Sequence, residues 1–279
     1  IYIYFHCYCI EIRYILKIHF KKGEIMKNVY VLLPLILVLS SFLLADDHKV
    51  SIESDGSVAE FNYFTVTDPM DFMNSLDKFD KSECASRWRE DSGAEVSLWS
   101  LRGSRSTHFV LVNYSSWDMM EKGSAIFSSC AESANMIKTF KDNTDTSRSW
   151  NWISENIFAG RAWQANTVFR KINFKVDMGA EAQYAKAWKK LMETQMDNIP
   201  GSFGLNSIPY GNRYSSHMVY LGANSMSELS DGFMTVINSS DFAEFDTSTS
   251  QIRSIVSNEL VQLVKAYDCL LYTSDAADD

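Results

Sequence analysis

Two histidines occupy matching places in the chain, each a few residues after a glycine and an arginine: Gly103, Arg105, His108 and Gly211, Arg213, His217. His108 alternates with Val110 and Val112, and His217 with Val219 and Leu221, so each imidazole points to an apolar face at the start of a strand. An imidazole there can move a proton near neutral pH or bind a metal. The same placement also lets each ring hydrogen-bond its neighbouring turn and hold a hairpin, and its occurrence in both halves favours that structural role. Arg105 and Arg213 fall in the two turns, where a guanidinium can grip a carboxylate at a cavity mouth or simply be solvated. Trp99, Tyr63, Tyr114 and Tyr220 lie on or beside the expected strands and would suit a flat apolar ligand, although rings at such spacing more often pack a core. Zinc-hydrolase, nucleophile-elbow, C-x-x-C and phosphate-loop patterns do not occur, so the sequence calls for no metal and no catalytic residue beyond the candidates His108 and His217.

The elements that must position these residues repeat. Gly93 precedes Gly103 by ten residues and Gly201 precedes Gly211 by ten; Gly123 follows His108, and Gly232 follows His217, by fifteen. Val110 and Ser116 match Val219 and Ser225, and Asp68 matches Asp177. Strands are expected over 61–66, 94–101, 108–114, 168–176, 202–208 and 217–223. Helices are expected over 69–89, 117–141, 180–196 and 226–238, with a further helical stretch over 250–267. Asp68 before Pro69 is a helix start. Residues 143–161 read as a polar link whose Trp150 and Trp152 dock on the first half.

Each half thus reads β-α-β-β-α. That order, with the internal repeat, resembles the ferredoxin-like units of the dimeric α/β-barrel superfamily, and two units in one chain would close an intramolecular α/β barrel, an α+β fold of antiparallel sheets. The resemblance spans about 61–268. It implies ligand binding, cofactor-independent monooxygenation or haem chemistry, without choosing among them. In such a fold both helices would follow parallel central strands and run side by side. Cys84 and Cys130, 15 and 13 residues into their helices, would then lie at similar depth. They form a disulfide or a pair of buried thiols.

The two ends read differently. Residues 1–25 hold no methionine and resemble translated AT-rich upstream DNA, with Lys22, Gly23 and Glu24 encodable as a bacterial ribosome-binding sequence. Met26 then starts an export signal over 26–45, cleaved after Ala45. Residues 269–279 resemble read-through of a transposase sequencing adapter, as in metagenomic shotgun assemblies. On that reading the repeats are 46–160 and 161–268, Cys7, Cys9 and Cys269 drop out, and the protein is periplasmic or secreted. The whole chain carries a net charge of −9, and residues 46–268 alone, with 21 basic and 30 acidic residues, carry the same. Nucleic acid is therefore not an expected partner, and no span remains to hold the protein in a membrane. The expected function is binding of a small, largely apolar molecule in a barrel or inter-repeat cavity, with no cofactor required and haem left open. The alternatives are a monooxygenase using His108 or His217 and a scaffold with a filled core.

Overall fold

The structure is a computed structural model that describes residues 51–267. The expected leader, His48, Cys7, Cys9 and the terminal 269–279 segment lie outside the described residues. Eight strands close a barrel: β1 (Val58–Phe64), β2 (Glu95–Arg102), β3 (His108–Tyr114), β4 (Trp150–Gly160), β5 (Val168–Val176), β6 (Phe203–Tyr210), β7 (His217–Ala223) and β8 (Arg253–Ala266). Their order around the barrel is β1-β3-β2-β8-β5-β7-β6-β4, every pair antiparallel. Seven helices pack outside: α1 (Pro69–Asp80), α2 (Glu83–Ser92), α3 (Trp117–Ser128), α4 (Ala131–Asp142), α5 (Glu181–Gln195), α6 (Met226–Ile237) and α7 (Ser240–Thr249). None is long and apolar enough to cross a membrane.

Two expected elements are corrected. Residues 143–161 are not a link, because β4 runs through them and fills the gap between β1 and β6. Trp152, Ser154 and Asn156 alternate as buried residues along it, a period of two masked by their polarity. Residues 250–267 are not helical either. Glu259 and Val261 are buried alternately along β8, while Ile255 and Val256 are exposed, which no single helical stripe explains. Each half therefore ends in a strand, and β8 and β4 carry the junctions to the other half through β2 and β6.

The long helices expected over 69–89 and 117–141 are both broken. Ser82 accepts from Ala85 N at 3.2 Å and starts α2 afresh, and Cys130 occupies the corresponding position before α4. Asp68 accepts from Met70 N and Asp71 N at 3.1 Å each, with Pro69 opening α1. The central strands β1 and β3 are antiparallel, so the two helical arms run in opposite directions. α1 lies on α4 and α2 on α3. Cys84, in the first turn of α2, and Cys130 meet at the two breaks and are disulfide-bonded. Their proximity comes from antiparallel arms broken at mid-length, not from the parallel arrangement expected.

The repeated glycines mark equivalent turns. Gly103 and Gly211 adopt φ of 89° and 87°. A Cβ would stand 2.7 Å from Asn258 O at the first and 2.5 Å from Asn151 O at the second, because each turn leans on the strand that its own β2 or β6 pairs with across the junction.

Candidate functional site

The period of two along each strand divides the side chains between the barrel interior and the helix-facing layer. Along β3, Phe109, Leu111 and Asn113 point inward, while Val110, Val112 and Tyr114 join the core beneath the helices. His108 shares the outward parity. Its Nδ1 lies 2.9 Å from Thr107 Oγ1, a hydroxyl that also accepts from Val66 N. His217 repeats the arrangement, with Nδ1 2.9 Å from Ser216 Oγ, which accepts from Val176 N. The rings rest 6.5 Å from Phe72 and 5.8 Å from Tyr184, both on helices. Burial lowers the basicity of both imidazoles. Neither candidate catalytic histidine reaches into the barrel or lines a cavity described below.

Of the four aromatic residues expected in one lining, the structure brings three together. Trp99 and Tyr220 line a cavity of about 80 Å³ inside the barrel, and Tyr63 is buried beside it. Tyr114 belongs to the opposite face of the sheet, where its hydroxyl accepts from Trp88 Nε1 at 3.2 Å, so it cannot share that lining. Arg105 and Arg213 line neither cavity. Both are in the β-β turns, where Arg213 stacks on the exposed Tyr214 ring and the Arg105 carbonyl accepts from Thr65 Oγ1.

The barrel interior holds polar residues that the sequence reading missed. Lys171 Nζ and Glu259 Oε2 pair at 2.7 Å, with both side chains 96% or more buried. Tyr63 Oη donates to the same carboxylate oxygen at 3.4 Å, and Lys171 also donates to Asn173 Oδ1 at 3.3 Å. Burial pulls the Lys171 ammonium below its ordinary value, opposed by the Glu259 carboxylate, and burial beside Glu259 holds the Tyr63 phenol protonated. Asn206 donates to Ser154 Oγ at 3.1 Å, while its buried Oδ1 has no partner. The signal for Lys171 was present: Phe169, Lys171 and Asn173 alternate on the inward face of a strand otherwise rich in Val, Ile and Phe. The signal for Glu259 was lost once β8 was read as a helix.

A second cavity, about 270 Å³, lies between the first half's sheet and its helices. Val96, Val110, Val112 and Tyr114 form the floor, and Phe79, Trp88, Phe127, Met136 and Phe140 the roof. Glu60 and Asn62 of β1, with Ser124 of α3, supply polar groups at its edge. Glu60 Oε1 accepts from Asn151 Nδ2 at 3.0 Å, so one polar group on this side is already engaged. The volume is just under the roughly 300–1,000 Å³ typical of ligand pockets, whereas the barrel cavity has only the volume of two or three waters at about 30 Å³ each.

No protein-family profile and no curated protein sequence matches the chain. Solved structures do. A protein of Fusobacterium nucleatum subsp. nucleatum, provisionally named a monooxygenase, is 10% identical with a TM-score of 0.51, over 75% of this chain and 93% of that one. An anthrone oxidase-like protein is 11% identical with a TM-score of 0.50, over 77% and 95%. At such identities the likeness concerns the fold alone, which in this chain is a closed eight-stranded barrel with its helices outside.

Proposed function

We propose that the chain is two tandem ferredoxin-like repeats, 46–160 and 161–268, that bind a small, largely apolar ligand in the cavity between the first repeat's sheet and its helices. The observation that carries this reading is the 270 Å³ space itself, apolar on floor and roof and edged by Glu60, Asn62 and Ser124. A flat ring of about ten heavy atoms with one hydroxyl suits such a space: the ring meets Val112 and Phe127, and the hydroxyl faces β1. A scaffold with a filled core is the poorer reading, since this part of the core is not filled. We also read the protein as periplasmic or secreted; the Cys84–Cys130 bond supports an oxidising compartment.

Haem does not fit the residues present. Its iron takes a His, Cys, Met or Tyr ligand, and neither histidine lines a cavity. Cys84 and Cys130 are bonded to each other, and burial holds the Tyr114 phenol protonated while its oxygen accepts from Trp88. In the helix-side cavity Met136 alone is left, in a space smaller than a porphyrin requires, and the barrel cavity that Met218 and Tyr220 line is smaller still.

The second reading is oxidation of the bound ring, as in the monooxygenase class that the fold brings to mind. Its specific support is the pairing of an aromatic-sized cavity with Asn62 and Tyr114 at the wall. With both histidines outside the cavity, His108 and His217 are not the acid/base residues of that reading; Asn62 and Tyr114 would orient a phenolic hydroxyl instead.

The test is calorimetric titration of the purified 46–268 protein with 1-naphthol. Saturable binding that disappears in Val112→Trp, which fills the cavity, supports the proposal; binding unchanged in that variant, or no binding at the solubility limit, refutes it. Oxygen uptake in the same mixture separates the two readings.

A further inference from the structure

The ion pair inside the barrel takes no part in the helix-side cavity. Two apolar residues of the same volume usually stabilise a fold as well as a buried ion pair does, so packing alone does not account for Lys171 and Glu259. Lys171 has three donors; one goes to Glu259 Oε2 at 2.7 Å and one to Asn173 Oδ1 at 3.3 Å. Its ammonium stands among the rings of Trp152, Tyr63 and Phe61, at 5.4, 5.6 and 5.9 Å from their centroids. It also lines the 80 Å³ cavity, whose lining extends outward to the exposed Asp55 and the half-buried Trp163. The buried Asn206 Oδ1, without a partner, belongs to the same wall. A buried amine, a carboxylate in contact with it and a spare acceptor in a space of a few heavy atoms are the parts needed to condense an amine with a carbonyl group.

We propose that the barrel interior is a second site, in which Lys171 condenses with a small neutral aldehyde or ketone to give a protonated Schiff base paired with Glu259. Glu259 takes one proton from Nζ, and the freed electron pair forms the C–N bond as the carbonyl π pair moves to oxygen. The oxygen collects that proton and then a second one relayed from nitrogen through Glu259, and it leaves as water. The nitrogen keeps one hydrogen and the positive charge. An ammonium is thereby exchanged for an iminium, so the ion pair survives and no net charge is buried. Asn206 Oδ1 serves as acceptor for the hydroxyl of the intermediate carbinolamine. The balance of one cation and one anion, with Asp55 at the open side, favours a neutral carbonyl compound over an oxo acid. The lowered basicity of Lys171 raises the fraction of free amine available.

The experiment incubates the folded protein with acetaldehyde and cyanoborohydride, which fixes an iminium as an ethylamine, and quantifies ethylation of each lysine by peptide mass spectrometry. A buried lysine without this chemistry is protected and labels less than the exposed Lys138, Lys175 and Lys186. The proposal predicts the reverse: Lys171 labels faster than any of the three, the preference falls to about equality in denaturing urea, where every lysine is alike, and pyruvate labels Lys171 less than acetaldehyde does. Lys171→Arg, which keeps the charge opposite Glu259, loses the fast-labelling position and leaves the other lysines unchanged. Lys171 labelling more slowly than the exposed lysines in the folded protein overturns the proposal. The readout does not involve the helix-side cavity, so Val112→Trp leaves it unchanged.

Discussion

Replacing Glu259 by Gln isolates what the carboxylate contributes inside the barrel. At 2.7 Å and an effective dielectric of about 20, the attraction between Lys171 and Glu259 is about 6 kcal/mol before desolvation is subtracted. Removing one partner of such a pair typically costs about 3–5 kcal/mol, because the other charge stays buried and unpaired. Lys171 can limit the loss by shedding its proton. From its ordinary value of 10.5 to pH 7.5, that costs about 4 kcal/mol at 1.36 kcal/mol per pH unit. The two routes agree, and for a domain of this size they correspond to a fall in Tm of roughly 6–20 °C. If the folded variant holds Lys171 neutral while the unfolded chain holds it charged, the unfolded state binds more protons. Stability of Glu259→Gln then rises with pH, by about 1.4 kcal/mol per unit between pH 7.5 and 9, relative to wild type. Lys171→Met with Glu259→Leu removes both charges and is expected to recover most of the loss. Urea unfolding followed by circular dichroism at the two pH values measures all three proteins. A cost below about 1 kcal/mol for Glu259→Gln, with no added pH dependence, would mean that water solvates Lys171 in the variant and that burial does not hold the pair apart from solvent.

The histidines predict a second pH effect. Both are depressed by burial, so the unfolded chain takes up protons first as pH falls through about 6.5; their contribution is complete above that value and declines toward the lower folded values. Urea midpoints at pH 7.5 and 5.5 check this, with His217→Phe showing a shallower decline than wild type. The disulfide closes a separation of 46 residues, for which chain entropy gives up to about 4 kcal/mol. Cys84→Ser with Cys130→Ser is expected to lose about 2–4 kcal/mol in chemical denaturation, and a loss under 1 kcal/mol would count against the bonded arrangement. Gly123→Ala puts a methyl 2.5 Å from the Tyr114 ring and 2.9 Å from Ser92 Oγ and Trp88 Nε1, which is expected to cost about 1–3 kcal/mol. An unchanged Tm would show that α3 can back away from the sheet.

Much of the barrel was legible because its most regular strands wear their period openly. β3 and β7 coincide with the expected 108–114 and 217–223 runs, since His, Val and Leu alternate there without interruption. β4 was hidden because its inward residues include Ser154 and Asn156, which a buried strand can keep only where a barrel interior supplies partners. β8 was hidden because apolar residues on both its faces fit a helical spacing as well as an extended one. The barrel interior was legible in part: Trp99 and Tyr220 do face its cavity, Tyr114 lies on the helix side of β3 because it shares the parity of Val110 and Val112, and the helix expected over 250–267 concealed Glu259. Without Glu259, Lys171 was one more lysine in a strand. The matching of Ser116 with Ser225 has a plain physical basis in the structure: each caps the helix after its strand, accepting from Met119 N at 3.3 Å and from Glu228 N at 3.2 Å.

The most direct measurement is a crystal structure of the 46–268 protein with 1-naphthol. The ring is expected between Val112 and Phe127, beneath α3 and α4, with its hydroxyl toward Asn62. A ring bound elsewhere, or a helix-side cavity closed by its own side chains at saturating ligand, would contradict that placement.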